Sequence, residues 1–189
     1  MRLFVGVELS DEARRLAGQV AGDLQRKLGK TLTARWVAAE NMHLTVRFIG
    51  HVPDDGVPAL LEALTQPLDV APFDIELGGG GRFPPRGAPR VLWIGVTKGL
   101  EPLAALHAEF NRRLARFGHE PENKPFNAHL TLARVKDARA AVANTVDAVF
   151  QSVRISTVRQ RVEAVTVFES RLSPHGSNYF ALSRVPLGH

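Results

Sequence analysis

From Arg2 to Leu9 the chain alternates. Leu3, Val5, Val7 and Leu9 stand at every second position, with Phe4, Gly6 and Glu8 between them. A period of two predicts a strand with one face turned to the core. Ser10 then supplies a helix N-cap, and Asp11 and Glu12 an acidic first turn that the helix dipole favours. Ala13, Leu16, Val20, Leu24 and Leu28 follow at helical spacing, and Gly29 suits the C-terminal cap. Strands are predicted over 35–38 and 42–51, separated by the turn Ala39-Glu40-Asn41. A short helix carrying Val57, Leu60, Leu61 and Leu64 is expected next, capped by Asp54 or Asp55 and stopped by Pro67. Residues 73–77 and 90–97 read as strands. Between them, 78–89 carries five glycines and three prolines and is expected to be a loop.

The second half repeats the plan. Leu100, Leu103, Leu106, Phe110, Leu114 and Phe117 form one helical stripe ended by Gly118. A strand over 128–135, a helix over 137–150 and three strands over 153–158, 161–172 and 179–186 complete it. The order is not a clean βαβ alternation. It predicts an α+β fold of two mostly antiparallel sheets with helices packed outside, one domain or two small lobes sharing a core.

Composition narrows the chemistry. The 189 residues are 44% apolar and 23% charged, ordinary globular proportions. With no cysteine, a thiolate nucleophile, an iron–sulfur cluster, a thiolate zinc site and disulfides are all excluded. The net charge of +5 and pI ≈ 10.2 give a modest bias toward polyanions. The N-terminal stretch turns acidic within a dozen residues, unlike a secretory signal. No apolar run approaches the roughly 20 residues that span a bilayer. A cytoplasmic protein without membrane partners is therefore expected.

The chemistry-bearing pattern is a short internal echo. Residues 42–46 read Met-His-Leu-Thr-Val and residues 128–132 read Ala-His-Leu-Thr-Leu. On a strand, side chains at i and i+2 share a face. His43 and Thr45 therefore point one way and Met42, Leu44 and Val46 the other; Asn127, His129 and Thr131 likewise oppose Ala128, Leu130 and Leu132. The apolar members belong to a core, the polar ones to a wet face or a cleft. If the two halves pack about a pseudo-twofold axis, the histidines meet face to face. One neutral imidazole can then take a proton from an attacking oxygen while the other, protonated, gives one to the leaving oxygen. Two threonine hydroxyls can donate to phosphoryl oxygens. Neither a covalent nucleophile nor a metal is required.

Paired His-x-Thr-x elements resemble the signature of the two-histidine (2H) phosphoesterases. The phrases around them, at 2–9, 35–37, 41–50, 89–96 and 124–135, are similar to the RNA 2′,3′-cyclic phosphodiesterase branch, first described as a 2′-5′ RNA ligase. The resemblance runs from Arg2 to about Leu187. It implies a bilobal α+β fold, residues 1–189 forming a single domain of two intertwined lobes with a central cleft and one motif in each lobe. It implies metal-independent hydrolysis of a terminal 2′,3′-cyclic phosphate to a 2′-phosphomonoester, reversible as 2′-5′ ligation, with no cofactor. By resemblance His43 is the proton donor to the departing 3′ oxygen, His129 the acceptor from water, and Thr45 and Thr131 hold phosphate oxygens. Arg134 matches the family arginine that assists the phosphate, and Phe48 a base-stacking platform.

Strand parity argues against those last two positions. Phe48 and Arg134 each follow a histidine by five residues, on the opposite face of a regular strand, and only a bulge or the strand's end would re-aim them. Arg47, at offset four, shares the histidine face and is a rival cation. His107 falls on a mostly apolar helix stripe and reads as a packed histidine; His51, His119, His175 and His189 read as solvated. Arg82, Arg86 and Arg90 belong to or flank the glycine-rich segment, whose default reading is a solvated loop, with contact to an RNA backbone as the alternative. Trp36 and Trp93 read as core. Tyr179 is open to either reading, and Ser170-Arg171 borders the expected cleft. No phosphate-binding G-x-x-x-x-G-K-[ST] loop, H-E-x-x-H or G-x-S-x-G is present. The histidines could instead ligate a metal, but no carboxylate shares either His-x-Thr face. The expected partner is RNA with a 2′,3′-cyclic phosphate end or a small cyclic nucleotide, bound by a monomer. The rival readings are a phosphodiesterase for small cyclic phosphates, either nucleoside 2′,3′-cyclic phosphate or ADP-ribose cyclic phosphate, and an RNA-binding module without catalysis.

Overall fold

The computed structural model describes residues 1–121, 125–173 and 176–188. Lys124, His175 and His189 lie outside them. Among the described residues, nine strands and four α-helices run in the order β1 (Arg2–Glu8), α1 (Asp11–Leu28), β2 (Thr33–Trp36), β3 (His43–His51), α2 (Val57–Leu64), β4 (Phe73–Phe83), β5 (Val91–Lys98), α3 (Leu100–Ala115), β6 (His129–Asp137), α4 (Ala143–Ser152), β7 (Val158–Val162), β8 (Ala164–Ser173) and β9 (Gly176–Pro186).

The strands form one curled sheet in the order β7-β4-β5-β6-β3-β1-β8-β9, with β2 added on β6. Its ladders are antiparallel, and the two expected sheets are its two wings. They meet where β3 and β6 pair through Leu44 and Leu130, both sealed in the core. The wings exchange strands. β4 follows α2 but pairs with β5 of the other wing, and β8 follows β7 but pairs with β1. The curl brings the β7 edge back to the end of β1, where the Gln160 amide accepts from Ser10 N (2.8 Å) and donates to the Glu8 carbonyl (2.6 Å).

Local chemistry accounts for most element ends. Ser10 Oγ accepts from Ala13 N (3.2 Å), and α1 buries Ala13, Leu16, Ala17, Val20, Ala21, Leu24 and Leu28 along one stripe. The cap expected for α2 is not made. Gly56 holds the N-cap position with no side-chain bond, because Asp54 instead accepts from the Met1 ammonium (2.9 Å).

The glycine-rich segment also departs from expectation: β4 continues through 78–83. Its glycines are strand residues, and aromatic rings lie over two of them. A Cβ on Gly80 would stand 2.7 Å from Phe150 Cε1, and one on Gly81 2.8 Å from Trp93 Cζ2. Gly79, at φ +63°, takes up a register shift against β5.

Residues 153–157 are not a strand, and 161–172 is two strands broken at Glu163. There the chain leaves its pairing with β4 and joins β1, a change of partner that apolar periodicity does not encode. No helix among the described residues is long and apolar enough to cross a membrane.

Candidate active site

The two motifs open adjacent strands at the seam of the wings. With Leu44 opposite Leu130, the antiparallel register turns His43 toward Thr131 and Thr45 toward His129. The leucines anchor the core face, so the four polar side chains share the other. Each imidazole is held by its own strand. His43 Nδ1 donates to the Asn41 carbonyl (2.9 Å) and His129 Nδ1 to the Asn127 carbonyl (2.7 Å). A carbonyl only accepts, so Nδ1 carries hydrogen in both rings and Nε2 is the nitrogen that the backbone does not hold. His43 Nε2 lies 3.1 Å from Thr45 Oγ1.

Aromatic rings fix the tilt of each imidazole. Phe4 stacks on His43 at 4.5 Å with Tyr179 edge-on at 4.8 Å, and Phe83 stands edge-on to His129 at 5.1 Å. Gly6 on β1 lets this packing close: a Cβ there would meet the Leu44 carbonyl oxygen at 2.9 Å and His43 Cδ2 at 3.4 Å.

The surroundings disfavour the charged form of both rings. The pKa of His43 is lowered from 6.5 to about 4, first by burial, with added repulsion from Arg134 and His129 and partial relief from the Asn41 carbonyl. His129 is also shifted down, by burial and then by Arg134, against the Asn127 carbonyl. The histidines thus lie within electrostatic reach of one another, and Arg134 of both.

A cavity of about 570 Å³ opens here, walled by His43, Thr45, Thr131, Phe48, Arg134 and Tyr179, with Arg2, Arg35, Ser170 and Leu172 among its other neighbours. His129 is half-buried beside it and is not part of that wall. A larger groove of about 900 Å³ between α2 and α3 holds none of the motif residues.

Phe48 and Arg134 reach the cleft because both strands bulge. The β1–β3 register slips between Val5 and Gly6, and the β5–β6 register between Leu92 and Trp93. Two consecutive residues are buried at each slip, Val46 with Arg47 and Leu132 with Ala133, and the next residue is flipped outward. The same bulges correct the expectation for Arg47. It is buried and donates to the carbonyls of Phe48 (2.6 Å) and Glu120 (2.7 Å), so it is no cleft cation.

Arg82 is likewise committed elsewhere. It binds Asp147 through two bonds (2.8 and 3.0 Å) and caps the carbonyls of Pro84 and Gly87, while Arg86 and Arg90 are exposed. His107 is packed as expected, bonded through Nδ1 to the Val46 carbonyl (2.8 Å) and stacked on Phe126. His51 is exposed and His119 half-buried. Trp36 packs on the core; Trp93 stacks on Phe83 over the glycines of β4. Sequence reasoning missed Phe4 and Phe83 as supports of the histidines, and Arg35 as a cleft residue. For Arg35 a signal existed: strand alternation sets it on one face with Val37, which also touches the cavity. Among the described residues no group of three His, Asp or Glu side chains is placed to hold a metal.

A curled antiparallel sheet with a mirrored His-x-Thr pair at its seam defines the two-histidine phosphoesterase class of fold. The chain belongs to the 2′-5′ RNA ligase superfamily, whose family model matches residues 4–173. An RNA 2′,3′-cyclic phosphodiesterase of Archaeoglobus fulgidus is 36% identical over 146 residues, covering 77% of this chain and 79% of that one. The crystal structure of TT0787 of Thermus thermophilus superposes with a TM-score of 0.78 at 27% identity, covering 99% of this chain and 98% of that one. The structure of E. coli LigT complexed with 3′-AMP gives a TM-score of 0.70 at 25% identity, covering 100% and 98%.

Proposed function

We propose that this protein hydrolyses RNA 2′,3′-cyclic phosphate ends to 2′-phosphomonoesters by two-histidine general acid–base catalysis without a metal. The observation that carries it is the pair of imidazoles with Nδ1 fixed on a backbone carbonyl and Nε2 left for chemistry, on strands joined at Leu44 and Leu130.

His129 Nε2 takes the proton from water as its oxygen attacks phosphorus. The bond from phosphorus to the 3′ oxygen breaks, and His43 Nε2 gives that oxygen a proton. His43 must therefore arrive charged, which its protein surroundings oppose. An entering phosphate anion reverses that balance, so substrate brings the acid into its working state. Thr45, Thr131 and Arg134 donate to the non-bridging oxygens, and Phe48, exposed at the cleft, offers a ring to the terminal base. With a 5′ hydroxyl in place of water, the same steps form a 2′-5′ linkage, and their reverse cleaves it.

Residues 1–189 act as a single domain of two intertwined lobes, as a cytoplasmic monomer. A cavity of about 570 Å³ is also large enough for one nucleotide, which favours small cyclic nucleotides as a second substrate class. The test is a product assay on RNA ending in 2′,3′-cyclic phosphate. Formation of 2′-phosphate in excess EDTA is expected; activity that collapses with EDTA and returns with a divalent metal refutes the mechanism. Protein that binds the RNA end without turning it over refutes catalysis.

A further inference from the structure

β2 is four residues long and, among the described residues, pairs only with β6, and its register sets Arg35 directly opposite Arg134. Like charges at opposed positions of an antiparallel pair are destabilising. Several arginines have a carboxylate partner, as Arg82 has Asp147, Arg113 has Glu109, Arg161 has Asp74 and Arg171 has Glu169. Arg35 and Arg134 make no ion pair among the described residues.

Both arginines open onto the cleft and onto a smaller cavity of about 270 Å³ that continues it, sharing Val37, Asn41 and Tyr179. Glu40 is the one carboxylate residue on that second cavity's wall. Arg134 lines the cleft with His43, Thr45 and Thr131, and in the reading above it binds the reacting phosphate. Arg35, one strand further out, faces a position that a second anion would occupy, and a guanidinium fork suits a phosphoryl group.

We propose that Arg35 binds a second phosphate, the one on the 5′ oxygen of the nucleoside whose 2′ and 3′ oxygens carry the cyclic phosphate. This rests on the phosphodiesterase reading above and adds a substrate rule to it. A nucleoside cyclic phosphate with a free 5′ hydroxyl lacks the group Arg35 recognises. A chain end has it as a phosphodiester, and a 5′-phosphorylated mononucleotide has it as a monoester.

The experiment compares kcat/KM for adenosine 2′,3′-cyclic phosphate, its 5′-phosphorylated form and an adenylyl dinucleotide ending in the cyclic phosphate. The wild type and the exposed-site variants Arg35→Gln and Arg35→Lys are assayed, with folding checked by thermal unfolding. A charge-assisted hydrogen bond of the usual strength predicts a preference of roughly 10- to 100-fold for the 5′-phosphorylated substrates in the wild type. Arg35→Gln should erase that preference while leaving the bare nucleoside substrate within about twofold, and Arg35→Lys should restore part of it. A preference for the dinucleotide alone makes the chain phosphodiester the ligand; an equal preference for both admits free 5′-nucleotides as well. The wild type treating all three alike, or Arg35→Gln slowing all three by one factor, overturns the inference. Failure of the wild type to turn over any of them refutes the phosphodiesterase reading instead.

Discussion

Proton affinity at His43 is where the structure makes its sharpest demand. The fall from 6.5 to about 4 means that charging this imidazole in the free protein costs about 3 kcal/mol more than in water. Burial against Phe4 is the main cause, and Arg134 adds to it. A bound phosphate places negative charge beside the same ring, and an opposite charge at close range raises a pKa by about 1–3 units. Histidine ring-proton NMR against pH, with and without inorganic phosphate, reads both states, and His43→Gln and His129→Gln assign the resonances. The expected result is a His43 resonance that titrates well below the ordinary range in the free protein and moves up toward neutrality with phosphate. A His43 that titrates near 6.5 when free, or does not respond to phosphate, refutes the account of how the acid is charged.

Replacing His43 or His129 by Ala should each lower kcat by about 10²–10⁴-fold with folding intact, read by circular dichroism beside the product assay; near-wild-type turnover in either variant would remove that histidine from the chemistry. Because folded His43 binds a proton more weakly than unfolded His43, stability should fall as pH drops from about 6.5 toward 4 and stop falling from this source below that. His43→Gln should flatten this part of a urea-denaturation pH profile, and an unchanged profile contradicts the burial argument. Gly6→Ala should destabilise by about 1–3 kcal/mol, since its methyl meets the Leu44 carbonyl and the His43 ring, and should slow turnover; an unshifted Tm would show that the close approach at β1 is not needed.

The motif residues were legible because they need only local rules. A period of two set His43 with Thr45 and His129 with Thr131, and the buried leucines between them confirm that parity. Phe48, Arg134 and Arg47 obey a rule that period alone misses. A bulge adds one buried residue at Val46–Arg47 and again at Leu132–Ala133, and everything beyond it changes face. The two strands share the same burial pattern through their first six residues, so the duplication extends to the bulge itself. The glycines of β4 read as a loop because their partners, Phe150 and Trp93, are distant in sequence. The break at Glu163 and the exchange of β4 and β8 between wings depend on which strand pairs with which, information that no single segment carries.

The central claim is that one phosphorus is gripped by two imidazoles at once. A crystal structure of the protein with a nucleoside vanadate, a five-coordinate mimic of the reacting phosphate, tests it most directly. The account predicts His43 Nε2 and His129 Nε2 each within about 2.6–3.2 Å of opposite apical oxygens. A vanadate held by only one histidine, or bridged to either of them by a metal ion, would contradict it.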